Sequence, residues 1–107
     1  MNFGYLGNLL KEAGKAKRYL KETQERLKEI IVETSASGGM IQISSNANGD
    51  FLSLKIHPDL LESHDIEFLE KVVLAAFNQS TAEVRHAAEK EMSKLTNRLN
   101  ISELLGF

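Results

Sequence analysis

The chain has 107 residues, 42% of them hydrophobic, a formal net charge of −2 and no cysteine. That length makes one domain, the apolar content is too high for disorder, and the absence of thiols excludes a disulfide framework and thiolate chemistry, as suits a reducing cytosol. A charge this close to zero argues against a generic polyanion binder, and no apolar run is long enough to span a bilayer.

In chain order, the opening "MNFGYLGNLLKEAGKAK" places its charges after its apolar residues, the reverse of a secretory signal. Apolar residues then recur at Leu6, Leu9/Leu10, Ala13, Ala16, Leu20, Leu27 and Ile30/Ile31. This three-four spacing predicts a helix from about Asn8 to Ile30, with Asn8 as its N-cap and a frayed start at Gly4 and Gly7. "IIVETSA" reads as a first strand, and "SGG" as a tight connection. "MIQIS" alternates, with Ile41 and Ile43 on one face. "NANGD" makes a hairpin loop whose Asn48-Gly49 pair supplies positive-φ residues. "FLSLKIH" alternates again, with Leu52, Leu54 and Ile56 inward and Ser53, Lys55 and His57 outward, and Pro58 ends the strand.

After the short "PDLLES" segment a long helix is expected from about Asp65 to Arg98, capped by Ser63 or Asp65. Its first half is apolar almost all round, more than one three-stranded sheet can cover. A second copy of the chain is the expected cover, so the dimer interface is placed on Val72, Val73, Ala75, Ala76, Phe77 and Ser80. The second half is amphipathic, with Val84, Ala88, Met92 and Leu95 inward. The expected fold class is α+β, α-β-β-β-α, with a three-stranded antiparallel meander, assembled as a homodimer. Residues 1–107 form one domain whose last residues, about 100–107, are an apolar tail.

Four segments carry a resemblance: "LGNLLKEAGKAK", "SGGMIQIS", "LKIHPDLL" and "LEKVVLAAFNQSTAEV". In that order, with this succession of elements, the chain resembles the YbaB/EbfC family of bacterial nucleoid-associated proteins. It departs from the family pattern in a first helix without the usual Met/Gln-rich composition, and in the ending "ISELLGF". The resemblance implies a cytoplasmic homodimer of the nucleoid that binds double-stranded DNA with little or modest sequence preference, with a role in chromosome organisation or gene regulation. It implies no cofactor.

The charges are segregated in a way that suits this. Residues 1–28 hold seven Lys/Arg against three Glu, residues 29–83 two Lys against nine acids, and residues 84–107 four basic against three acidic. Lys11, Lys15 and Arg18 share a narrow arc of the first helix, and His86, Lys90, Lys94 and Arg98 follow at four-residue steps on the last. The six Lys and Arg residues are the candidate DNA contacts, made to phosphates and therefore blind to sequence. The bland alternative is a solvated helix face, with Glu22–Arg26 and Glu25–Lys28 as ordinary intrahelical pairs.

Other constellations point nowhere. His57, Asp59, His64 and Asp65 lack the spacing of a zinc site and have strand-end and cap roles to fill. Ser35, Ser37 and Ser44 belong to no nucleophile-elbow motif, and "SGG" lacks the lysine and spacing of a phosphate loop. Tyr5 and Tyr19 read as packing residues. No convergent polar set suggests an enzyme, and neither a metal nor a membrane is expected as a partner. The alternative from another class is a small acidic dimeric chaperone or adaptor that binds protein segments.

Overall fold

The computed structural model describes residues 3–99. Helix α1 spans Phe3–Glu29 and leads into strand β1, Ile31–Ala36. Strands β2, Ile41–Asn46, and β3, Phe51–Ile56, complete an antiparallel meander of order β1-β2-β3. A one-and-a-half-turn helix α2, Pro58–Ser63, then precedes the long helix α3, Ile66–Leu99. The fold is the expected α+β succession, with two differences of extent. Helix α1 begins at Phe3 rather than near Asn8, so Gly4, Gly7 and Asn8 all lie inside it. The "PDLLES" segment is helical, because Pro58 sits at its first turn, where a missing N–H does no harm, and His57 caps it. The apolar tail expected at 100–107 falls outside the described residues.

The turns obey their sequence. The chain crosses from β1 to β2 through Ser37 (φ 53°), Gly38 (φ 66°) and Gly39 (φ 90°), three successive left-handed residues, two of them glycines that adopt this conformation without strain. In the second turn only Gly49 has positive φ. Asn46 organises it: Oδ1 accepts from Asn48 N at 3.0 Å and Asp50 N at 3.1 Å, and Nδ2 donates to Asp50 Oδ2 at 3.0 Å. Ala47 N donates to the Ile30 carbonyl at 2.9 Å, which ties this loop to the end of α1. The two Asn donors, from Asn46 first and Asn48 next, hold the Asp50 carboxyl below its ordinary value.

Helix α3 lies across β1 and β2. Ile41 and Ile43 of β2 are fully buried under it, in one cluster with Leu60 and Ala76. Leu69, Val72, Val73 and Phe77 pack on that cluster. Thr34 of β1 donates to the Glu83 carboxylate, and Gln79 Nε2 donates to the Ser35 carbonyl at 3.2 Å, pinning the middle of the helix to the strand. Asp65 caps α3 through Phe68 N at 2.8 Å, one of the two caps expected.

Strand β3 is different. Its register is Ile41↔Ile56, Ile43↔Leu54 and Ser44↔Ser53, then it slips so that Ser45 faces Phe51 and Leu52 becomes the extra residue of a bulge. Ile56 and Leu54 thus share the inner face with Ile41 and Ile43, as expected, whereas Leu52, expected inward with them, is put out of register by the bulge and is exposed. Ile56 packs on the core cluster, but Phe51, Leu52 and Leu54 stay exposed in the single chain. Phe51 touches α3 edge-on through Phe77, with ring centroids 4.8 Å apart.

Candidate nucleic-acid interface

The cations are placed by a seam between the two long helices. Helix α1 runs toward the sheet and α3 runs away from it, so they pass each other in opposite directions. Thr23 and Leu27 of α1, with Val84, Glu91 and Leu95 of α3, are the buried residues of this region. The expected inner line through Met92 is corrected here, since Met92 is exposed and Glu91 is buried. The reason is angular. Four-residue steps drift about 40° each, so Met92 lies about 80° from Val84, whereas steps of seven and eleven residues return Glu91 and Leu95 to within about 20°.

A buried carboxylate must be paired, and Glu91 is paired twice. Lys94 Nζ donates to Oε1 at 2.9 Å from the same helix, and Arg26 Nη1 donates to Oε2 at 3.4 Å from α1. Both cations keep their outer surface, with side chains 58% and 44% exposed, while that of Glu91 is 8% exposed. The bond from Lys94 is the main cause, followed by that from Arg26, that holds the Glu91 carboxyl below its ordinary value against the opposing effect of burial. Arg26, read from the sequence as the partner of Glu22, therefore reaches across to the other helix.

This contact joins one cation of α1 and one of α3 through a single carboxylate. On α1, Lys11, Lys15 and Arg18 fall within an arc of about 60°, and Arg26, eleven positions after Lys15, returns to within about 20° of it. On α3, Lys94 shares the Glu91 carboxylate with Arg26, and Lys90 lies one turn before it. Lys11, Arg18 and Lys90 are exposed; Lys15 is half-buried and pairs with Glu12 at 3.5 Å. Arg98 stands in the last turn of α3, at the limit of the described residues. The sequence reading missed Arg26 and Glu91, although the signal was present as a polar residue on the seven-eleven apolar line.

The residues assigned to a dimer contact divide. Ala76 and Ser80 are fully covered by the chain's own sheet, which is where their small size lets α3 approach. Ala75 is exposed, and Val72, Val73 and Phe77 keep part of their surface. Larger apolar side chains stand fully open nearby, among them Ile66 and Leu74 of α3.

The histidines serve the backbone. His57 Nδ1 accepts from Asp59 N at 3.2 Å as the cap of α2, and His64 Nδ1 lies 3.3 Å from the Leu60 carbonyl, its ring stacked on Phe68. Among the described residues no three His, Asp or Glu side chains come together to hold a metal ion. No described helix is long and apolar enough to cross a membrane.

A model of the YbaB/EbfC DNA-binding family matches residues 3–99 of the chain. The chain belongs to the YbaB/EbfC DNA-binding family. It is 38% identical over 102 residues to a nucleoid-associated protein of Legionella pneumophila, covering 94% of this chain and 90% of that one. It is 36% identical over 99 residues to a nucleoid-associated protein of Thermoanaerobacter pseudethanolicus, covering 92% and 89%. Among solved structures it is similar to the uncharacterized protein HP0035 of Helicobacter pylori, at 28% identity and a TM-score of 0.65, over 92% of this chain and 97% of that chain. The YbaB/EbfC family is a DNA-binding and nucleoid-associated family, not a family of enzymes.

Proposed function

We propose that the chain works as a homodimer in the cytoplasm, on the nucleoid, where it binds double-stranded DNA with little sequence preference and takes part in chromosome organisation or gene regulation. It is a binding protein and not a catalyst, and needs no metal or cofactor. The contacts are made by Lys11, Lys15 and Arg18 of α1 with Lys90, Lys94 and Arg98 of α3. What supports this reading is that a cation of each long helix, Arg26 and Lys94, gathers at the α1–α3 seam in a chain of a DNA-binding family, and that each helix carries further Lys and Arg residues at helical spacing. Long side chains on helix faces reach phosphate oxygens, which repeat along any duplex.

The dimer rests on exposed apolar surface. Phe51, Leu52 and Leu54 on β3 and Ile66, Phe68 and Leu74 on α3 are open in the single chain, as are Leu6, Leu9, Leu10 and Leu20 of α1. Soluble monomers rarely leave so many large apolar residues uncovered together. A second copy supplies Val72, Val73, Ala75 and Phe77 to the same contact.

The test is retention of several unrelated duplexes across a salt series. Affinity is expected to fall with salt at a slope of about −0.9 per phosphate neutralised, alike for all sequences. Lys15→Glu with Arg18→Glu is expected to weaken binding to every duplex while leaving the dimer intact. A wild-type protein that retains no duplex at low salt but captures apolar peptides would favour the adaptor reading instead.

A further inference from the structure

We propose that Glu91 is a built-in counter-ion that holds Arg26 and Lys94 back from DNA, so that the chain binds duplex more weakly than its cations alone would allow. This rests on the DNA-binding reading above and concerns the same seam.

The geometry is specific. Each carboxylate oxygen of Glu91 serves one cation, Oε1 for Lys94 and Oε2 for Arg26. The anion is buried between the helices while both cations face outward. A phosphate arriving at this seam meets two exposed positive groups whose charge is already half neutralised by a carboxylate it cannot displace. The three groups together carry one net positive charge. With a neutral residue at 91 they would carry two, and both side chains would be free to swing to phosphate.

The structural role of the acid explains its place. Glu91 takes an ion pair from each of the two long helices. It joins the seam and lowers its charge with one side chain, so that stability and DNA affinity oppose each other at this position. Electrostatic contacts to phosphate govern non-specific binding and its salt dependence. A restrained affinity keeps such binding reversible, and Glu91 is where the restraint resides.

The experiment is a double-mutant cycle. Wild type, Glu91→Gln, Lys94→Gln and the double variant are titrated with one duplex at several salt concentrations, with dimer mass and helical content checked alongside. Glu91→Gln is expected to bind more tightly, by about tenfold at about 50 mM salt for each further phosphate it engages, and to steepen the salt slope by about one to two. Lys94→Gln is expected to weaken binding more in the Glu91→Gln background than in the wild type. A purely structural acid would lower thermal stability and leave the slope unchanged. Wild type that binds DNA while a folded Glu91→Gln protein shows the same slope, or weaker binding, overturns the proposal alone. Wild type that retains no duplex at low salt overturns the DNA reading and the proposal with it. Should Glu91→Gln fail to fold, single substitutions decide: Lys94→Gln is expected to weaken binding less than Lys11→Gln, whose lysine is in no ion pair among the described residues, and an equal or larger loss overturns the proposal.

Discussion

Asp50 and Glu91 are carboxylates whose neighbours favour the charged form, and that makes the fold sensitive to acid. Their ordinary values are 3.8 and 4.5, and both are lowered in the folded chain, Asp50 by the amides of Asn46 and Asn48, Glu91 by Lys94 and Arg26. A lowered folded value means the stabilisation is fully present above the unfolded value and is lost as pH falls through the folded one. Thermal unfolding is therefore expected to be level above about pH 5 and to fall below about pH 4, and Asp50→Asn or Glu91→Gln is expected to flatten that decline. A decline as steep in both variants as in wild type would place the acid sensitivity elsewhere. Ser80 poses the opposite case. Its hydroxyl is fully buried and has no hydrogen-bond partner. Ser80→Ala is expected to raise stability by about 1 kcal/mol in urea titrations, since an unmet buried hydroxyl carries a desolvation penalty that no bond offsets. A loss of stability would mean that the hydroxyl is bonded in the assembled protein.

Among the elements, β2 holds the fold together and β3 waits for a cover. The central strand is buried because it has a neighbour on each side and α3 above it. Ile43→Ala is expected to lower stability by about 3 kcal/mol, the usual cost of emptying a filled core site. Leu54 pairs with Ile43 in register, yet the same chain leaves it 42% exposed. Leu54→Ala should cost much less in a monomer and nearly as much as Ile43→Ala in a dimer that covers β3. Comparing the two substitutions by denaturant unfolding at low and high protein concentration measures how much of the strand the partner buries.

For the whole molecule, the elongated shape, 75 × 24 × 18 Å, follows from two long helices that outrun a small sheet. So thin a body has little interior for its length, and many of its large apolar residues stay exposed in the single chain. Leu74 is 63% exposed on α3. Leu74→Glu is expected to halve the mass seen by sedimentation while leaving the sheet folded, because the side chain has few neighbours within its own chain. A wild-type protein that sediments as a folded monomer at micromolar concentration would remove the basis for the dimer.

The order of elements, the inward Ile41 and Ile43, the Asn-Gly turn and the family were all legible in the residues, because strand alternation, turn chemistry and helical spacing act over a few positions at a time. The α1 start was not, since Gly4 and Gly7 weaken a helix locally without stopping it. What lay beyond local rules was which line of α3 faces inward and which cation meets which acid. Angular drift over two four-residue steps moved the seam from Met92 to Glu91, and only the crossing of α1 over α3 could set Arg26 against a carboxylate 65 positions away. Local spacing determines which residues share a face; the packing of one face on another decides which of them are buried, paired or left free for DNA.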